Sequence, residues 1–286
     1  MEYLTDLGII LGVQVIVALG LYIQMATGQI SAGQAAFMGI GGYAAGVASL
    51  RFNMPLPITL LISGVLSGLV AAVFAALILR LSHWFLAVAT LAFGEAMVVI
   101  IQNIDALGGA AGFFGIPLRT NLAWVLGVLV VVIYGMSRVE GSRYGYAFRA
   151  VNQDEHVAEA LGIDARKIRI AAFGAGGALA GIGGALTAQY VGIVESTYLG
   201  FANSLPFLLY VAIGGTYTFW GTVVGTVVLL ELPELLRFTI YDRLLLYGLA
   251  MIVVMILRPQ GLITSSPRLG MLMSLLNRSR ILMSRR

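Results

Sequence analysis

Apolar residues run from Leu7 to Leu257 in nearly continuous blocks, parted by short intervals that hold most of the charge. Blocks of about 20 apolar residues are what an α-helix needs to cross the hydrocarbon of a bilayer, where every backbone N–H and C=O must find its partner within the segment. A membrane barrel does not fit, because its strands alternate apolar and polar residues in segments of about 10. The chain is also only 10% charged and 59% hydrophobic, whereas a soluble domain carries roughly 25% charged residues. The expected fold is all-α: a polytopic membrane bundle of 8–10 transmembrane segments, some of them Gly-rich and broken or re-entrant.

Spans are expected at about residues 7–26, 30–50, 56–79, 84–103, 121–137, 168–190, 202–219, 221–236 and 244–257. Glycines crowd the second of these, from Gly28 to Gly46, and recur at Gly214, Gly215 and Gly221. The pairs Gly8/Gly12, Gly42/Gly46, Gly64/Gly68, Gly177/Gly181 and Gly221/Gly225 have the four-residue spacing that lets helices approach closely in lipid. The N-terminus MEYLTDLGIILG lacks the basic region and small-residue cleavage site of a signal peptide, so the first apolar run reads as a retained span.

Arginine placement sets the expected orientation, since loops rich in Lys and Arg stay in the cytoplasm. The interval from Arg138 to Arg169 holds 11 charged residues, and the stretch from Arg258 adds Arg268, Arg278, Arg280, Arg285 and Arg286 with no acid after Asp242. Both are expected on the inner face. The resulting division is a transmembrane permease domain over 1–257, containing a cytoplasmic coupling segment at 138–169, and a basic amphipathic cytoplasmic tail over 258–286.

Within the coupling segment a single helix is expected from Phe148 to Leu161. Phe148, Val151, Ala158 and Leu161 recur at helical spacing, Glu155 interrupts the stripe, and Glu159 lies on the polar face. Gly162 is placed as a C-terminal stop. A short helix of this kind suits docking into a groove on a soluble partner. The alternative is a solvated loop helix.

Four stretches carry a family likeness: RAVNQDEHVAEALGIDARKIRIAAFGAGGALAGIGGAL from Arg149, GQISAGQAAFMGIGGYAA from Gly28, ATLAFGEAM ending at Met97, and RPQGL at Arg258, preceded by LPELLR at Leu232. Their order and spacing resemble the permeases of branched-chain amino-acid ATP-binding-cassette importers, the LivM type more than the LivH type. The resemblance covers nearly the whole chain. It implies a heterodimeric pore made with a second related permease, two cytoplasmic ATP-binding subunits and an external substrate-binding protein. The segment around Phe148, Val151, Glu155, Ala158, Glu159, Leu161 and Gly162 would then couple the pore to the ATPases. The chain has no G-x-x-x-x-G-K-[ST] phosphate loop, and its one lysine, Lys167, follows Asp164, Ala165 and Arg166. Nucleotide hydrolysis would therefore come from another chain.

Polar residues within spans mark candidate functional positions, because an ionisable group there costs about 2.5–3.5 kcal/mol on insertion scales. Glu95 lies in the span 84–103 and is expected to face the bundle interior or a water-filled cavity, either as a pathway residue or as a hydrogen-bond acceptor joining broken helices. Gln29, Ser31 and Gln34, set among glycines, are candidate pathway residues, with a re-entrant structural hairpin as the other reading. Glu231 and Glu234 flank Pro233 and read as structural. With no cysteine and two histidines, no metal site and no cofactor are expected, and no catalytic constellation is found. Nucleic acid is not implied. The expected location is a bacterial or archaeal cell membrane. Two other readings remain: a permease for urea or short-chain amides, and an autonomous ion-coupled transporter or channel with Glu95 as its coupling site.

Overall fold

The computed structural model describes residues 2–80 and 83–235, with Gly248 alone beyond them. The expected span at 244–257, the string at Arg258 and the basic tail over 258–286 lie outside the described residues. Eight long helices answer to the other eight expected spans: α1 (Glu2–Met25), α2 (Gln34–Arg51), α3 (Leu56–Ile78), α4 (His83–Gln102), α5 (Leu122–Glu140), α8 (Ala165–Val191), α9 (Phe201–Gly214) and α10 (Phe219–Leu235). Between α5 and α8 lie two short helices, α6 (Arg143–Gln153) and α7 (Glu155–Ala160). Six stretches among the described residues are long and apolar enough to cross a membrane, including the run from Ser196 through α9. The chain is a multi-pass membrane protein.

α8 forms the axis of the bundle, with α1, α2 and α3 packed around it. Bilayer lipid gives helices no hydrophobic reason to associate, so contact must come from close dispersion packing. Glycine makes that approach possible here. A Cβ on Gly41 would overlap the backbone of Gly181, and one on Gly184 would overlap the Met38 carbonyl. Four of the five glycine pairs of the sequence sit at helix contacts, such as Gly64 and Gly68 against Ile182 and Ala178, while in the fifth Gly42 meets α8 and Gly46 meets Phe113 and Ile116 of the loop after α4. α2 holds four glycines, and its weak hydropathy is tolerable because α3 and α8 cover it.

α3, α4 and α5 form the perimeter and present apolar ridges outward. On α3 the ridge is Leu61, Val65, Leu69, Val73 and Leu77, and on α5 it includes Leu126, Val130 and Tyr134. The loop after α4 carries two 3-10 turns at Asp105–Leu107 and Gly109–Ala111 and then β1 (Phe113–Phe114). β1 pairs antiparallel with β2 (Ile193–Val194), Phe113 opposite Val194, and so straps this loop to the end of α8.

Two expectations are corrected. The second span begins at Gln34 rather than at residue 30, so Gln29 and Ser31 lie in the turn before α2, where Gly28 takes φ +80°. The expected helix from Phe148 to Leu161 is two helices. Asp154 sits between them in extended conformation (φ −157°, ψ 113°), and its Oδ1 accepts from the N–H groups of His156 at 2.9 Å and Val157 at 3.1 Å. An aspartate that can cap a new helix competes with continuing the old one. α6 also starts earlier than expected, at Arg143, because Ser142 accepts from the Tyr144 N–H.

Candidate functional site

Three polar joins organise the chain, beginning at the break between α1 and α2. A helix that begins within the bundle leaves its first N–H groups without partners. Gly33 offers α2 no side-chain cap. The Ala32 N–H instead donates to Thr90 Oγ1 of α4 at 2.9 Å, and the Ala35 N–H to Ser204 Oγ of α9 at 3.0 Å. Gln34, fully buried, donates to the Val17 carbonyl at 3.1 Å and the Gly176 carbonyl at 3.4 Å, and its Oε1 accepts from Gln24 Nε2 at 3.2 Å. Gln29 is also buried and takes a 3.4 Å bond from the Thr27 hydroxyl, while Ser31 Oγ accepts from the Gly33 N–H. All three candidate residues of this segment are thus enclosed within the chain. Gln24, Thr90 and Ser204 belong to the same join and were not singled out by sequence. A polar side chain in mid-span was the available signal.

The second join is Glu95. It projects from the outer side of α4 and is exposed at the surface of the described chain, so of the two expected placements, the bundle interior and a water-filled cavity, it does not take the first. Its Oε1 accepts from the N–H of Phe201, the first residue of α9, at 2.8 Å. α9 begins after an irregular passage through the 3-10 turn Ser196–Leu199, and a carboxylate at its N-terminus meets both the unpaired N–H and the positive end of the helix dipole.

The third join is the insert between α5 and α8. Arg149 of α6 pairs with Glu140 of α5 at 3.2 Å, and Arg169 of α8 with Glu155 of α7 at 2.7 Å. Val151 and Ala158 are buried together with Ala165, and Phe148 packs on the main core. The apolar stripe expected to meet a partner is therefore mostly turned inward. Leu161, 74% exposed, is the exception, and Tyr144, Tyr146 and Val157 join it on the outer side. Glu159 is exposed, and Gly162 takes φ +83° at the stop. Asp164 caps α8 by accepting from the Lys167 N–H at 3.0 Å and also meets the Lys167 ammonium, contacts that hold its carboxyl below the usual range.

A cavity of about 260 Å³ opens beneath α6, lined by Tyr22, Met136, Phe148, Asn152, Tyr217 and the Glu140–Arg149 pair. Glu231 is half-buried near the end of α10, and the side chain of Glu234 lies outside the described residues. Among the described residues no group of three or more His, Cys, Asp or Glu could hold a metal ion.

The family described as branched-chain amino acid transport system / permease component matches residues 3–257. The high-affinity branched-chain amino acid transport system permease protein LivM of Escherichia coli K12 is 28% identical over 296 residues, covering 91% of this chain and 68% of that one. The probable branched-chain amino acid transport permease protein LivM of Methanocaldococcus jannaschii is 25% identical over 73% of this chain and 68% of its own. The permease protein LivH of the Escherichia coli K12 system is 24% identical over 58% of this chain and 61% of its own. No solved structure matches the chain.

Proposed function

The chain belongs to the branched-chain amino acid transport permease family, and from that premise we propose that it forms half the pore of an ATP-binding-cassette importer for leucine, isoleucine and valine. A second related permease would complete the pore, an external binding protein would deliver the substrate, and two ATP-binding subunits would supply the energy. This chain, with no phosphate loop in its 286 residues, would be a transport subunit and not an ATPase. The arginine-rich insert and C-terminus would face the cytoplasm of a bacterial or archaeal cell.

The observation that carries the coupling role is the attachment of α6 and α7. One ion pair ties α6 to the end of α5, another ties α7 to the start of α8, and Val151 and Ala158 pack under both. A segment fixed at two points to different spans transmits a push to both, whereas a loose loop would absorb it. Its outer side, with Val157, Leu161 and Glu159, would meet the ATPase. Glu95 would border the pathway. Gln29, Ser31 and Gln34 would act on the pathway indirectly, by fixing where α2 begins.

Reconstitution tests this reading. Vesicles holding both permeases and both ATP-binding subunits, supplied with the binding protein, should accumulate leucine only with ATP inside the reach of the ATPases. Uptake by this chain alone, driven by an ion gradient, would overturn it. Urea or a short amide accumulated in place of leucine would overturn the substrate assignment and leave the coupling intact.

A further inference from the structure

Glu95 stands twelve residues from the start of α4 and seven from its end, about 18 Å and 10 Å along the axis. That depth lies within the hydrocarbon of a membrane the helix must cross. The carboxylate is nevertheless exposed, with Ala92, Ala96 and Val99 beside it on α4. The same surface continues across Thr197, in the 3-10 turn ahead of α9, and Ala202 and Asn203 in the first turn of α9, where Asn203 Nδ2 donates to the Thr197 carbonyl at 3.0 Å. α3 offers the contrast: its outward ridge from Leu61 to Leu77 holds nothing but leucine and valine.

Lipid cannot cover the first surface as it covers the second. A charge at this depth costs about 2.5–3.5 kcal/mol, and non-helical backbone is tolerated in the membrane only where protein or a water-filled cavity meets it. We propose that the α4–α9 face bearing Glu95 is covered by the second, related permease subunit, and that the apolar ridge of α3 faces lipid. The proposal rests on the half-pore reading and locates the seam on this chain. Ala92 and Ala96, four residues apart, allow a partner helix to come close. The choice of occupant follows from the relatives: LivM and LivH of Escherichia coli K12 are both named permease proteins of a high-affinity branched-chain amino acid transport system, and this chain is similar to each.

The absence of cysteine makes the test clean. Single-cysteine variants Ala92→Cys, Ala96→Cys, Val65→Cys and Leu69→Cys are labelled with a small fluorophore in the complete assembly and placed in bilayers of brominated phospholipid. Quenching should be strong at 65 and 69 and roughly tenfold weaker at 92 and 96, where no acyl chain reaches. A photo-crosslinker at position 96 should capture the second permease. Equal quenching at all four positions would overturn the proposal, and so would capture of another copy of this chain or of its own residues 236–286. These readouts are separable from the transport reading: strong quenching at 96 with ATP-driven leucine uptake intact would sink the seam alone, while loss of ATP dependence would sink the transport reading whatever the quenching.

Discussion

α4 supports two broken helices with side chains five residues apart, and the two are treated differently. Thr90, fully buried, accepts from the backbone just ahead of α2; Glu95, exposed, accepts from the first N–H of α9. The electrostatic need is the same, an acceptor for an N–H that the helix cannot satisfy. Inside the bundle the chain meets it with hydroxyls, which need no counter-charge when their hydrogen bonds are made. On its outer side it uses a carboxylate. A hydroxyl would satisfy the same N–H without the cost of ionisation, so the charge at Glu95 points to surroundings that lipid does not provide.

Breaking the inner join should have the largest effect on the fold. Gln34→Leu would leave the Gln24 amide without its acceptor, at about 1–3 kcal/mol for a group left unsatisfied, and would remove the bonds that the Val17 and Gly176 carbonyls accept beyond those of their own helices. The expected outcome is a sharply lower melting temperature in detergent, read by size-exclusion thermostability, with little purified assembly recovered. An unchanged melt would mean that the glutamine knot does not hold the break. The cytoplasmic join comes next. Glu155→Arg would set two cations against each other beside the poorly exposed Arg169 and uncouple ATP hydrolysis from transport, while the swap Glu155→Arg with Arg169→Glu should restore most of the coupling. Failure of the swap with a sound fold would mean that Glu155 meets the ATPase directly rather than tying α7 to α8.

Glu95 should divide stability from transport. Glu95→Gln keeps an acceptor for Phe201 and should leave the melt nearly unchanged while slowing leucine uptake; Glu95→Leu adds the loss of a helix cap, about 1 kcal/mol. Equal transport in wild type and Glu95→Gln would reduce Glu95 to the same structural role as Thr90. The smallest effect is expected at Asp164. Asp164→Ala removes a cap contact from α8 at an exposed helix end. Because the Lys167 N–H and ammonium lower the folded carboxyl pKa, this contribution is complete above the unfolded value and fades as pH falls through the folded one, so the wild-type and variant melts should converge in acid.

The spans were legible because apolar length is a one-dimensional property, and the glycine pairs because their spacing directly encodes a helix face. What hydropathy does not carry is azimuth. Glu95 could be located along α4 from sequence, but which way it points depends on how α4 packs against α2 and the turn before α9. Nor does local pattern reach across the chain: Gln34 and Gly176 meet although 142 positions separate them. The insert misled for a different reason. Its periodicity is real, but Asp154 ends one helix by starting another, and two of the four residues in the stripe that suggested a docking face, Val151 and Ala158, pack with Ala165 within the same chain.

The contact between α2 and α8 has a consequence for movement. Where side chains interleave, helices can slip by changing rotamers. Here Gly41 lies on Gly181 and Gly184 on the Met38 carbonyl, main chain against main chain, with no rotamer available to absorb displacement. A shift of α8 by one residue either way would bring Ala180 or Ile182 to the place of Gly181, and so a Cβ into the seam. Sliding α2 along α8 would force main chain into main chain, so in a transport cycle the two helices would move together as one body.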